Sequence, residues 1–180
     1  MNAKTVRIAT AGTILALVAT ALPLITRTDA RNMENRIAAG DTQALAQMQS
    51  VMGEGNAVAQ NWLGLHFLAS HDDATAAHWF LKAADQGDVM AQHNLADLYA
   101  SGRGVPFNPV VAYALYSLVS ASTQRWVRSD AQASLQQLAA SLSTEQIEAG
   151  QDVALKMRRE GISNTLEKIE QIENDDDADS

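Results

Sequence analysis

Between residues 55 and 121 one pattern is written twice. Gly55-Asn56-x-x-Ala59-x-x-x-Leu63-Gly64-x-x-Phe67 is followed, 32 residues later, by Gly87-Asp88-x-x-Ala91-x-x-x-Leu95-Ala96-x-x-Tyr99. A period of this length belongs to stacked helical pairs, because one such unit cannot bury its apolar face alone and leans on its neighbours to do so. The recurring dipeptide has a physical reason. Glycine takes the left-handed conformation that ends one helix, and the Asn or Asp side chain caps the free amides of the next. Gly40-Asp41-x-x-Ala44, with Leu45, Met48 and Met52 following at helical spacing, reads as a degenerate copy ahead of the first.

Each unit is expected to hold two helices. The second reads Ala76-Ala77-His78-Trp79-Phe80-Leu81-Lys82-Ala83-Ala84 in unit one and Ala112-Tyr113-Ala114-Leu115-Tyr116-Ser117-Leu118-Val119-Ser120 in unit two. Alanines let the helix axes approach, while Trp79, Phe80, Leu115 and Tyr116 fill the wider space beside them. In unit two the helices are joined by Gly102-Arg103-Gly104-Val105-Pro106-Phe107-Asn108-Pro109, whose prolines forbid helix; unit one has only His71-Asp72-Asp73. Aromatic residues are 5% of the chain, and with so much alanine the balance is that of an all-α protein.

These residues carry a resemblance. Ala-x-x-x-Leu-Gly-x-x-Phe, then Trp79-Phe80-x-Lys82-Ala83-Ala84-x-x-Gly87, then Tyr99-x-x-Gly102-x-Gly104-Val105, resembles the Sel1-like repeat family, a relative of tetratricopeptide repeats. The segment after the two units, especially Leu142-Ser143-Thr144-Glu145-Gln146-Ile147, resembles the paired helices that often close bacterial members. The chain departs from the family pattern in lacking the Gly-x-Gly-Val loop in unit one and in having Leu115 where an aromatic residue is usual. The resemblance implies a short α-solenoid of helix-turn-helix repeats with C-terminal capping helices, working as a non-catalytic scaffold for a protein or peptide partner. Some exported members resemble penicillin-binding or β-lactamase-like hydrolases, but those are rich in cysteine, and this chain has none.

The flanks complete the expected organisation. Lys4 and Arg7 precede an uncharged apolar run at residues 8–25, the order of an export signal. Ala19-x-Ala21 and Thr28-x-Ala30 offer cleavage sites, whereas the length of the run nearly suffices for a retained anchor. The expectation is a signal peptide or anchor at 1–30, lead-in helices at 31–54, two repeats at 55–122, and a closing pair at 123–160 whose second helix is opened by the capping box Ser143-x-x-Gln146. An amphipathic helix at 161–173 carries Leu166, Ile169 and Ile172, and a disordered acidic tail occupies 174–180. The place would be the periplasm of a Gram-negative bacterium, or its inner membrane with the repeats facing the periplasm. A retained leader would contact that membrane through residues 8–25 and make the protein an anchored accessory subunit.

Formal net charge is −8, and losing residues 1–30 would remove three basic side chains for one acidic. A body this acidic repels phosphate backbones, so nucleic acid is not an expected partner. Without cysteine there are no disulfides, thiolate ligands or cysteine nucleophiles. No serine stands in a nucleophile motif, Gly102-Arg103-Gly104 lacks the strand-to-helix context of a phosphate loop, and Glu160, Glu167, Glu170 and Glu173 read as a solvated face. His66, His71 and His78 with Asp72 and Asp73 lack the spacing that presents two ligands on one helical face, so neither a metal nor a cofactor is expected. What remains is a binding surface. First helices line the concave side of such a stack, offering Val58, Asn61, Trp62 and Leu65 in unit one and Met90, His93, Asn94 and Asp97 in unit two. Asn61, Trp62, Leu65, His93, Asn94 and Asp97 are the candidate partner-binding residues, with Asn61, His93 and Asp97 best suited to bonding a peptide backbone.

Overall fold

The structure, a computed structural model, describes residues 56–178 and, before them, Arg36, Gln43, Ala44, Ala46, Gln47 and Ser50. The leader at 1–30 and nearly all of the lead-in segment lie outside the described residues. Residues 56–178 form seven helices, and no strand occurs among the described residues: α1 Ala57–Ala69, α2 Asp73–Asp85, α3 Val89–Ser101, α4 Pro109–Ser120, α5 Arg125–Ala139, α6 Thr144–Glu160 and α7 Ile162–Ala178.

Short polar side chains start these helices. Asn56, Asp72, Asp88 and Asn108 accept the backbone N–H three residues on, at 2.9–3.2 Å, and Pro109 begins α4 at a position that needs no N–H. Ser143 and Gln146 close a reciprocal capping box on α6. Gly87 has φ +84, the left-handed turn that ends α2 and releases the chain into α3. Ala44 is fully buried, like Ala59 and Ala91, which occupy the same place in the written pattern.

The helices stack as successive pairs, α1 with α2, α3 with α4, and α5 and α6 both against α4. Of the largest fully buried side chains, Leu95 and Leu98 lie on α3 and Val111, Leu115 and Val119 on α4, against single residues on α1, α2 and α5. Each such side chain stabilises by roughly 1.5–3 kcal/mol, so the stack is anchored on the second pair. A side chain at Gly64 would meet the Phe80 ring at 2.5 Å, and one at Gly150 the Tyr113 ring at 2.6 Å. These absences of Cβ let α1 close on α2 and α6 on α4.

The Gly-Arg-Gly loop joins the repeats. Gly104, at φ +69, lies so near the Asp73–Ala74 peptide that any Cβ would overlap it. Arg103 holds the Asp73 carboxylate with both arms of its guanidinium, at 2.9 and 2.8 Å. The loop of unit two thus grips the first turn of α2 in unit one, which is why glycine is required there.

α7 turns back over the stack, packing on α6 and on α2. Ile162, Thr165 and Leu166 are buried, and Ile169 is half-buried. Asp85, the last residue of α2, accepts the backbone N–H groups of Ile162 and Ser163 at 3.0 and 2.9 Å and also holds the Ser163 hydroxyl. Two expectations change here. Ile172 is 61% exposed and takes no part in docking. The segment expected to be a disordered acidic tail is helical as far as Ala178. Once the first turns are fixed by Ile162, Leu166 and Asp85, each further residue extends the helix without a new nucleation cost, and that outweighs the acidic composition.

Candidate functional site

α1, α3 and α5 run in register. Counting from each helix start, the second position holds Val58, Met90 and Trp126, the fifth Asn61, His93 and Ser129, the sixth Trp62, Asn94 and Asp130, and the ninth Leu65, Asp97 and Ala133. α3 packs against both α1 and α5, so these rows run across the stack on one face.

The two middle rows join the helices to one another. Asn94 Nδ2 donates to Asn61 Oδ1 at 3.1 Å, and one pair further on His93 Nε2 lies 3.4 Å from Asp130 Oδ2. In both cases the sixth residue of the later helix meets the fifth of the earlier one. His93 Nδ1 also lies 3.5 Å from Asp97 Oδ2, and Asp97 Oδ1 accepts the Tyr116 hydroxyl at 2.5 Å. The Tyr116 ring meets the imidazole edge-on, with centroids 5.5 Å apart. Four elements of side-chain chemistry from α3, α4 and α5 therefore form one cluster.

Its electrostatics follow from that geometry. The contact with Asp97, opposed by burial and aided by the charges of Asp97 and Asp130, holds the His93 imidazole above its ordinary value. Burial first, and then the bond to Asp97, push the Tyr116 phenol up. The hydroxyl is thus a fixed donor to a carboxylate, an arrangement that builds structure instead of generating a nucleophile. Beside the cluster a shallow groove of about 330 Å³ is lined by Ala100, Tyr116, Ser134, Gln137, Leu138 and Ser141.

The candidate residues divide accordingly. Asn61 is only 5% exposed, and its amide oxygen is taken by Asn94, so the expectation of a free peptide-binding amide does not hold at this position. A neutral amide on a packed helix face finds its partner inside the stack. Asn94 and His93 are mostly enclosed by the same contacts, while the Asp97 side chain remains 52% exposed. Trp62 and Leu65 are half-buried, with Leu65 packed on the core. Reasoning from the first helices alone missed Tyr116, which arrives from a second helix, and Asp130 and Trp126, which belong to α5. A faint signal existed. Gln124-x-x-Val127-x-x-x-Ala131 repeats the spacing of Asp88-x-x-Ala91-x-x-x-Leu95, but without the glycine, and Gln124 makes no side-chain cap bond.

Among the described residues, no group of three or more His, Asp or Glu side chains is placed to hold a metal ion. None of the described helices is long and apolar enough to cross a membrane.

A family model described as Sel1 repeat matches residues 57–88 and 89–119. The first match opens with α1 and ends at the cap of α3, and the second covers α3 and nearly all of α4. Among solved structures, the chain is similar to a protective antigen present in uropathogenic Escherichia coli strains and displaying an SLR fold, with TM-score 0.65 and 18% identity. The alignment covers 89% of this chain and 36% of that one, so this chain spans little more than a third of that protein's length. At this identity the likeness is one of fold. A search of curated proteins found no match.

Proposed function

We propose that this chain, which carries two Sel1 repeats of a kind that generally mediates protein–protein interaction, is a non-catalytic scaffold of the bacterial envelope. It binds a partner protein or peptide on the face formed by α1, α3 and α5. One observation carries the reading: with Asn61, His93, Asn94 and Asp130 of the middle rows committed to joining helices, the outer rows and Trp62 offer side chains to a partner. Trp126 is 57% exposed in the same row as Val58 and Met90, and Asp97 lies in the row with Leu65 and Ala133. An exposed aromatic side chain and a hydrogen-bonding carboxylate on one face are the usual composition of an interface centre and its margin. Asp97, Trp62 and Leu65 stay as contact residues in this reading, and Trp126 and Met90 join them.

The basic and then apolar order of residues 4–25 supports export. The same run supports a second reading, an accessory subunit held at the inner membrane by residues 8–25. One experiment addresses site and place together: capture of the full chain with its crosslinked partner from envelope fractions of the native host. Trp126→Ala is expected to lower partner recovery at least tenfold while the circular dichroism spectrum stays unchanged. Undiminished recovery would show that this face is not the binding face. N-terminal sequencing of the captured chain separates a free periplasmic form, starting near Leu22 or Arg31, from an anchored form that keeps residues 8–25.

A further inference from the structure

The joint between the second repeat and the closing pair differs from the joint before it in both members, because an imidazole and a carboxylate stand where the earlier joint has two amides. Asn61 and Asn94 form a neutral bond. His93, one pair further along, sits between carboxylates from two helices, Asp97 on its own α3 and Asp130 on α5, at 3.5 and 3.4 Å. Its Nε2 is closed off from solvent and makes no hydrogen bond, leaving the Asp130 carboxylate at ion-pair distance as its polar neighbour among the described residues. We propose that His93 is a proton-operated latch between α3 and α5, closed when the imidazole is cationic and slackened when it is neutral.

Donor count decides the state of the latch. An imidazolium carries an N–H on both ring nitrogens and can satisfy Asp97 and Asp130 together. A neutral imidazole carries one, so deprotonation turns a bare nitrogen lone pair toward one of the two carboxylates. Asp97 already receives the Tyr116 hydroxyl from α4. Asp130 has its side chain 69% exposed and can turn to water, so the inter-helix contact is the one that yields. The ionised groups acting on the imidazole are Asp97 and Asp130, Tyr116 presents its ring edge, and α1 and α2 add no charge to that set. Because the folded chain holds the imidazole above its ordinary 6.5, the stabilisation is complete below that pH. It is lost as pH rises through the folded value. Trp126 lies one turn before Asp130 on α5, so the latch fixes where that indole stands. The latch is a property of the joint and holds whichever face binds a partner.

The test is an NMR titration of the imidazole signals in the full chain, with His93 assigned by the signal lost in His93→Gln, run beside urea unfolding of wild type and Asp130→Asn at pH 6 and pH 9. His93 is expected to titrate above 6.5 and to move down in Asp130→Asn. The stability advantage of wild type over Asp130→Asn is expected to fall by half or more between pH 6 and pH 9. A His93 that titrates at or below 6.5, one that Asp130→Asn leaves unmoved, or an advantage equal at both pH values would each overturn the latch.

Discussion

Asn61 and Asn94 do between the two repeats what His93 and Asp130 do between the second repeat and the closing pair. In each joint a polar side chain on one first helix is satisfied by a polar side chain on the next, at the same two helical positions. A buried amide left without its partner costs about 1–3 kcal/mol, so Asn61→Ala is predicted to lower stability by about 1–2 kcal/mol in urea unfolding followed by circular dichroism. Combined with Asn94→Ala, the loss should fall short of the sum of the two single losses by roughly 0.5–1.5 kcal/mol. Strict additivity would mean that the amides do not tie α1 to α3. Helical spacing placed Asn61 and His93 on the face of first helices, but spacing alone does not tell a side chain that reaches outward from one that reaches sideways to the next helix. That distinction depends on the separation of α1 from α3, a tertiary quantity.

At the scale of elements, the helix starts were legible because caps are local. Asn56, Asp88 and Ser143 act within three residues of themselves, and a short window of sequence contains the whole interaction. The docking of α7 was not legible for the opposite reason. Its N-terminus is capped by Asp85, 77 residues away from Ile162 in sequence, and no periodicity links the two. Asp85→Ala removes the acceptor for two backbone amides and is predicted to cost about 1–2 kcal/mol. The measurable sign is faster amide hydrogen exchange in the first turns of α7, with α3 and α4 unchanged. Equal exchange across the chain would indicate that Ile162 and Leu166 alone hold the helix. The helical stretch up to Ala178 was hidden for a related reason, since composition reports what a segment does alone and not what it does when extended from a docked helix.

For the whole molecule, the repeat period dictates the architecture, because units of this length are stable only when stacked. The period could not show how the ends are finished. α5 and α6 continue the stack with a weakened version of the same spacing, and α7 then returns to α2, so the stack has a face of first helices and an opposite side that α7 partly covers. The face of first helices is the proposed partner surface. Ala133 on α5 and Glu167 on α7 are both exposed and stand on these two different sides. The most direct measurement places a photo-reactive benzophenone amino acid at Ala133 or at Glu167 in the full chain and irradiates the native host. A discrete higher-mass adduct is expected from position 133 and none from position 167. An adduct from position 167 alone would contradict this assignment and place the partner on the side that α7 covers.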